Sequence, residues 1–217
     1  MNETGHSANF QPFWKAGILY RRFFKTLIDR VLATVAIVIL SPVIVLLAIA
    51  VRFLLGHPVL FRQKRIGLND WPFMFLKFRT MTGEKDSNGK LLPDERRLTP
   101  FGNFLRSSSL DELPQLWNVV KGEMSLIGPR PLLPQYLERY SAFQRRRHEV
   151  KPGITGWAQT HGRNDTTWDL RLKQDVWYVD NVSPAVDLRI LGLTLLKVFK
   201  REGISQGGHA TMPEFRG

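Results

Sequence analysis

The sequence predicts an α/β chain, mostly α with a small β-hairpin or sheet. It is organised as an N-terminal re-entrant membrane helix hairpin and a compact cytosolic domain with interfacial amphipathic helices. Three observations carry this expectation. Val31 to Val51 is a run of 21 residues without a charge, interrupted at Ser41-Pro42. "VLFRQKRIGLNDWPFMFLKFRTM" reads as two extended runs around the turn-like Gly67-Leu68-Asn69-Asp70. After Ser183-Pro184, apolar residues at 188, 191, 195, 198 and 199 recur at helical spacing.

Residues 1–14 show no periodicity and form a loose lead-in. Residues 15–57 hold the membrane element. A run of roughly 20 apolar residues is long enough to span a bilayer, so length alone favours a single-pass anchor. Two features argue for re-entrance instead. Ser41-Pro42 divides the run into arms of ten and nine residues, and proline removes a helical hydrogen bond and kinks the helix. Cations flank both ends, with Lys15, Arg21, Arg22, Lys25 and Arg30 before and Arg52, Arg62, Lys64 and Arg65 after. Positive residues stay cytoplasmic, which a hairpin satisfies at both ends and a span at one. Ala48-Ile49-Ala50 resembles a signal-peptide cleavage site, but the apolar region is too long for that reading.

Residues 58–202 form the compact domain. In the second extended run Phe73, Phe75, Lys77 and Arg79 share one face and Met74, Leu76 and Phe78 the other. Residues 82–97 are polar and turn-rich, which predicts a mobile surface loop. "KPGITGWAQTHGRND" is too rich in glycine for a helix and predicts a structured loop. Ser183 and Pro184 predict an N-cap and first helical residue for "AVDLRILGLTLLKVFKR". Its apolar stripe fits core packing or, beside a membrane element, a helix lying at the lipid surface. The tail, 203–217, offers little to pack.

The composition narrows the partners. With 31 Lys plus Arg against 19 Asp plus Glu, the net charge is +12, which suits an anionic partner. Absence of cysteine excludes disulfides and thiolate metal sites, and the scattered histidines lack zinc-site spacing. No G-x-x-x-x-G-K-[ST], G-x-G-x-x-G or Asp-x-Asp motif is present.

"SSSLDELPQLWNVV", residues 107–120, is the focus of chemistry. Ser109 and Glu112 fit a capping box, but Pro114 would then fall at the fifth helical position, where it disrupts the ladder. A cap at Asp111 places Pro114 in the first turn and puts Asp111 at a helix N-terminus, where the dipole favours the carboxylate. With an ordinary pKa of about 3.9 it needs no base to act as a nucleophile. The second acidic pair, Asp94-Glu95, lies beside Arg96 and Arg97 and reads as self-neutralised. Arg106, Arg130 in "IGPRP" and Arg163 are cations on stiff backbone of the kind phosphate binding requires. From the residues alone, helix-start chemistry and catalysis at Asp111-Glu112 both stand.

"LKFRTM", "RLTPFGNFLRSSSLDELPQLWNVVKGEMSLIGPRPLL", "KPGITGWAQTHGRN", "DVWYVDN" and "ATMPEF" closely resemble the bacterial sugar transferases known as monotopic phosphoglycosyl transferases. The likeness runs from about Arg22 to the C-terminus and is to the minimal members, made of the catalytic unit alone. It implies that 58–202 is a catalytic domain on the cytoplasmic face of the bacterial inner membrane. It further implies ping-pong transfer of a phosphosugar from a UDP-sugar to polyprenol (undecaprenyl) phosphate, releasing UMP. By the resemblance, Asp111 is the nucleophile, and Glu112 sits with it near Mg²⁺. Arg106, Arg130 and Arg163 then contact phosphate or uridine, while Lys77, Asp175 and Asp187 are polar groups around the site. The Ser41-Pro42 break matches the family's re-entrant helix. Membrane lipid is an expected partner and nucleic acid is not. The competing readings are a membrane-anchored basic binding protein and a polyprenyl-phosphate glycosyltransferase that releases UDP.

Overall fold

The computed structural model describes residues 20–162, 167–200 and 214–217. A π-helical turn, Tyr20–Phe24, leads into helix α1, Lys25–Leu54. Strands β1, Leu60–Ile66, and β2, Pro72–Phe78, pair antiparallel with Gln63 opposite Phe75. Helix α2, Pro100–Ser107, and helix α3, Gln115–Lys121, follow. Strands β3, Ser125–Ile127, and β4, Gly153–Thr155, pair in parallel. Short helical turns at Pro134–Arg139, Ala142–Arg145 and Arg146–Glu149 lie between β3 and β4, and helices α4, Trp157–His161, α5, Trp168–Asp180, and α6, Pro184–Lys200, follow. The hairpin and the predominance of helix agree with the predicted class.

Helix α1 runs without interruption through Pro42, where the sequence predicts a break. Pro42 has no N–H to give the Val38 carbonyl. The Ser41 hydroxyl donates to that same carbonyl at 2.8 Å, so the acceptor orphaned by the proline is satisfied and the backbone stays helical. Both arms pack on one body. Ala33, Ala36, Ile37 and Leu40 join a core with Phe73, Phe75, Leu116, Val119 and Met124. Ile44, Leu47, Ala48, Val51 and Leu55 join another with Phe78, Leu105, Leu110 and Leu113. The outer face, including Leu32, Val35, Val38, Ile39, Leu46 and Ile49, is exposed and apolar.

Three stretches differ from expectation. The glycine-rich 151–165 segment contributes β4 and α4 because its glycines serve close approach rather than turning: a Cβ on Gly153 would lie 2.0 Å from the Gly128 nitrogen. Within 82–97, Lys85 bridges Leu91, Asp86 accepts the amides of Asn88 and Lys90, and Asp94–Arg97 forms a helical turn. At the C-terminus Phe215 is buried among Leu132, Tyr136 and Leu172, so the described end of the chain, residues 214–217, does find a seat. A single aromatic residue supplies that packing, which a composition argument misses.

In α6 the turn geometry at Ser183 and Pro184 is as the sequence predicts, with Ser183 Oγ accepting from Val186 N at 3.4 Å. Ile190 is fully buried. The stripe at Leu188, Leu191 and Leu195 is exposed rather than buried.

Candidate active site

The site begins with the pleat of β2. Phe73 and Phe75 enter the core, and Lys77, on the same face, continues past it toward the carboxylates. Just beyond β2, Thr80 meets α2. Thr99 caps that helix by accepting from Gly102 N at 3.0 Å. A Cβ on Gly102 would stand 1.8 Å from the Thr80 carbonyl oxygen, so only glycine allows this approach. Arg106 Nε then donates to Thr80 Oγ1 at 3.0 Å.

Ser109 turns the chain in the left-handed region, φ 56°, and Leu110–Glu112 forms a 3-10 turn. Pro114 precedes α3. Asp111 is therefore not a helix cap: the proline ends the tight turn and starts the next helix three residues further on. Leu110 and Leu113 pack into the core beside α1, which pins the two carboxylates between them. Asn118, fully buried, locks α3 to β2 by accepting from Leu76 N at 3.2 Å and donating to Met74 O at 2.7 Å. That latch sets the register between Lys77 and the acidic pair.

Lys77 Nζ donates to Asp111 Oδ2 at 3.1 Å and to Glu112 Oε1 at 2.8 Å. Arg130 Nη2 donates to the same Glu112 oxygen at 2.6 Å. Burial works to raise the Glu112 pKa, but Arg130 and Lys77 reverse this and hold it at about 2. Burial pushes Asp111 above the usual carboxylate range; Lys77 opposes that rise and the neighbouring Glu112 charge adds to it. Glu112 in turn raises the Arg130 pKa. Asp111 is nearly inaccessible, at 4 % exposure, so its ordinary sequence-based pKa does not apply. Its Oδ1 carries no hydrogen bond from a described residue.

Arg147, set in an arginine run with no local sequence signal, neighbours the site. It is buried, donates to Asp175 Oδ2 at 3.0 Å from Nε and 2.8 Å from Nη2, and gives a further bond of 2.6 Å to the Arg130 carbonyl. Asp175 thus reaches the site through Arg147 and the Arg130 backbone. Asp187 lies elsewhere: it accepts from Lys25 Nζ at 2.7 Å, Tyr20 OH at 2.7 Å and Tyr178 OH at 2.6 Å, fastening the start of α1 to α5 and α6. Arg163 lies outside the described residues.

Among the described residues no cluster of three or more acidic or histidine side chains is suited to a metal. Asp111 and Glu112 are hard oxygen donors, and Mg²⁺ commonly takes one or two carboxylates with substrate phosphates and water completing its shell. The pair fits such a substrate-completed site.

A family model described as "Bacterial sugar transferase" matches residues 20–201. The uncharacterized sugar transferase EpsL of Bacillus subtilis is 55% identical over 85% of this chain and 92% of its own length. The UDP-glucose:undecaprenyl-phosphate glucose-1-phosphate transferase of Escherichia coli is 40% identical over 82% of this chain, and 40% of that protein is covered. The undecaprenyl-phosphate galactose phosphotransferase of Salmonella typhimurium is 38% identical over 84% of this chain and 42% of its own. The chain thus spans nearly all of the Bacillus protein and about two fifths of the longer relatives. With the family model matching from α1 through α6, the chain belongs to the bacterial sugar transferase family.

Proposed function

We propose that this protein transfers a phosphosugar from a UDP-sugar to undecaprenyl phosphate through an aspartyl intermediate. The observation that carries the reading is the buried Asp111, held by one oxygen on Lys77 beside a Glu112 already claimed by Arg130. Asp111 Oδ1 attacks the β-phosphorus, the bond from that phosphorus to the bridging oxygen breaks, and UMP leaves with the electron pair. An oxygen of the lipid phosphate then attacks the same phosphorus and the aspartate departs as carboxylate. Lys77 and Arg130 offset charge on the phosphoryl oxygens. Glu112, whose Oε1 accepts from both Lys77 and Arg130, orients the two cations and would contact metal. Asp111 and Glu112 would hold Mg²⁺, which supplies charge neutralisation on the diphosphate.

The reading places α1, a continuous helix rather than the broken hairpin the sequence predicts, at the cytoplasmic face of the bacterial inner membrane, entering the lipid without crossing it. A helix whose two arms pack on one body cannot have that body on both sides of a bilayer. Its exposed outer face and the exposed leucine stripe of α6 are apolar surface for lipid, and basic residues flank both ends of the apolar run.

The test is to incubate the full chain with UDP-sugar, Mg²⁺ and undecaprenyl phosphate and identify the nucleotide released. The expected product is UMP, lost in Asp111→Asn. Release of UDP, or undiminished activity of the variant, refutes the proposal.

A further inference from the structure

Arg65 stands opposite Phe73 in the hairpin register, on the face that also carries Gln63, Phe75 and Lys77. Its guanidinium carbon lies 5.6 Å from the centre of the Phe75 ring, and the Lys77 ammonium lies 5.7 Å from the same ring. Nη2 donates to Gln63 Oε1 at 2.6 Å and Nη1 to the Pro131 carbonyl at 3.4 Å, next to Arg130. Nε is buried without a partner among the described residues. Among the described residues no carboxylate pairs with it, whereas Arg130 holds Glu112 and Arg147 holds Asp175. Burial and then the nearby Arg130 charge lower its pKa to about 10, which leaves it cationic at neutral pH.

A half-buried guanidinium beside a second cation, bonded among the described residues only to neutral acceptors and with its Nε–H unpartnered, is unfavourable for folding unless an anion joins it. Its position, sharing Phe75 with Lys77 and Pro131 with Arg130, sets that anion beside the reacting phosphate. We propose that Arg65 binds a second phosphate of the reaction, either the α-phosphate of the uridine nucleotide or the phosphate of the lipid acceptor. This rests on the transfer reading above. Both sources offer the same chemistry, a phosphate oxyanion for a forked donor. The α-phosphate gains negative charge when the bond to the β-phosphorus breaks, so a cation without a protein counter-ion favours that product state.

The experiment compares the full chain with Arg65→Met, which keeps bulk without charge, and Arg65→Lys, which keeps charge without the fork. Calorimetric titrations with UMP and with uridine, the KM for undecaprenyl phosphate and the melting temperature are measured in one detergent. Arg65→Met is expected to weaken UMP binding, or to raise the acceptor KM, by about tenfold or more. The first result assigns the nucleotide phosphate and the second the lipid phosphate. Uridine binding is unchanged, the melting temperature does not fall, and Arg65→Lys is intermediate. UMP affinity and acceptor KM both within about threefold of the parent, or a loss of uridine binding equal to that of UMP, overturn the assignment. So does a lowered melting temperature with both constants unchanged, which marks Arg65 as a packing residue. The nucleotide released by the parent protein is identified in the same series. UDP there refutes the transfer reading, while the UMP titration still reports on Arg65.

Discussion

Replacing Glu112 by Gln keeps the shape of the side chain and removes its charge. In the native site one oxygen, Oε1, accepts from Arg130 at 2.6 Å and Lys77 at 2.8 Å. Burial opposes ionisation, yet the two cations bring the pKa from 4.5 to about 2. At about 1.4 kcal/mol per pH unit, the ionised carboxylate stabilises the fold by on the order of 3 kcal/mol. The folded value is depressed, so this stabilisation is complete above the unfolded value of 4.5 and is lost as pH falls toward 2. Glu112→Gln should therefore lower stability at pH 7.5 by roughly 2–3 kcal/mol, about 5–10 °C for a domain of this size. Thermal unfolding followed by circular dichroism at pH 7.5, 5.5 and 4.0 measures it, with the gap narrowing at the lowest pH. A variant as stable as the parent at pH 7.5, or a gap that widens on acidification, would refute the electrostatic argument. Removing the neighbouring negative charge also lowers the Asp111 pKa, so any residual UMP release extends to more acidic pH.

Lys77→Met removes the cation that restrains Asp111, whose pKa then rises further; UMP release slows by about 10²-fold or more and its acid limb moves to higher pH. A pH profile that stays in place counts against the contact. Arg147→Met removes the guanidinium that donates twice to the buried Asp175 and frees the Arg130 carbonyl, lowering stability by about 3 kcal/mol. A melting temperature equal to the parent's would remove Arg147 from this account. Phe215→Ala opens the cluster of Tyr136, Tyr140 and Trp168, whose ring centres lie 5.6, 5.5 and 5.4 Å away, and costs about 3–5 kcal/mol; denaturant titration shows whether the tail is held. Single cysteines placed before Arg22 and after Arg65 should react with an impermeant thiol reagent from the same face of sealed vesicles. Reaction from opposite faces would establish a span.

The sequence made the hairpin, the helix after Ser183 and the acidic pair legible because each has a short-range cause: a turn between alternating runs, a cap with a proline, and Pro114 beside two carboxylates. What it hid is long-range. Lys77 on a strand face looks like a solvated charge until Asn118 fixes β2 against α3 and turns that face toward Glu112. Arg147 and Asp175 are 28 residues apart and meet only in the folded chain. Asp187 fits polar motifs as well as Asp175 does, yet its partners are Lys25, Tyr20 and Tyr178. The glycines of 151–165 are ambiguous in sequence, since a turn and a tight strand crossing call for the same residue; the Gly128–Gly153 contact decides between them.

Under the proposed reaction, the resting site also accounts for how an already paired Asp111 would become a nucleophile. Asp111 and Glu112 carry two negative charges, and Lys77 and Arg130 carry two positive ones, so the quartet attracts a diphosphate only weakly as a whole. Glu112, with a pKa of about 2, remains ionised at neutral pH and keeps both cations in place. Asp111 is held less firmly, through a single bond of 3.1 Å from a lysine shared with Glu112. An arriving phosphate competes for the Lys77 ammonium, whose three donors are not confined to one acceptor. Each step of that competition would move positive charge from Asp111 onto the group that the proposed reaction has it attack. Under the proposed reaction, binding the electrophile and releasing the nucleophile would be one exchange, with Lys77, bonded to both carboxylates at rest, as the group that moves.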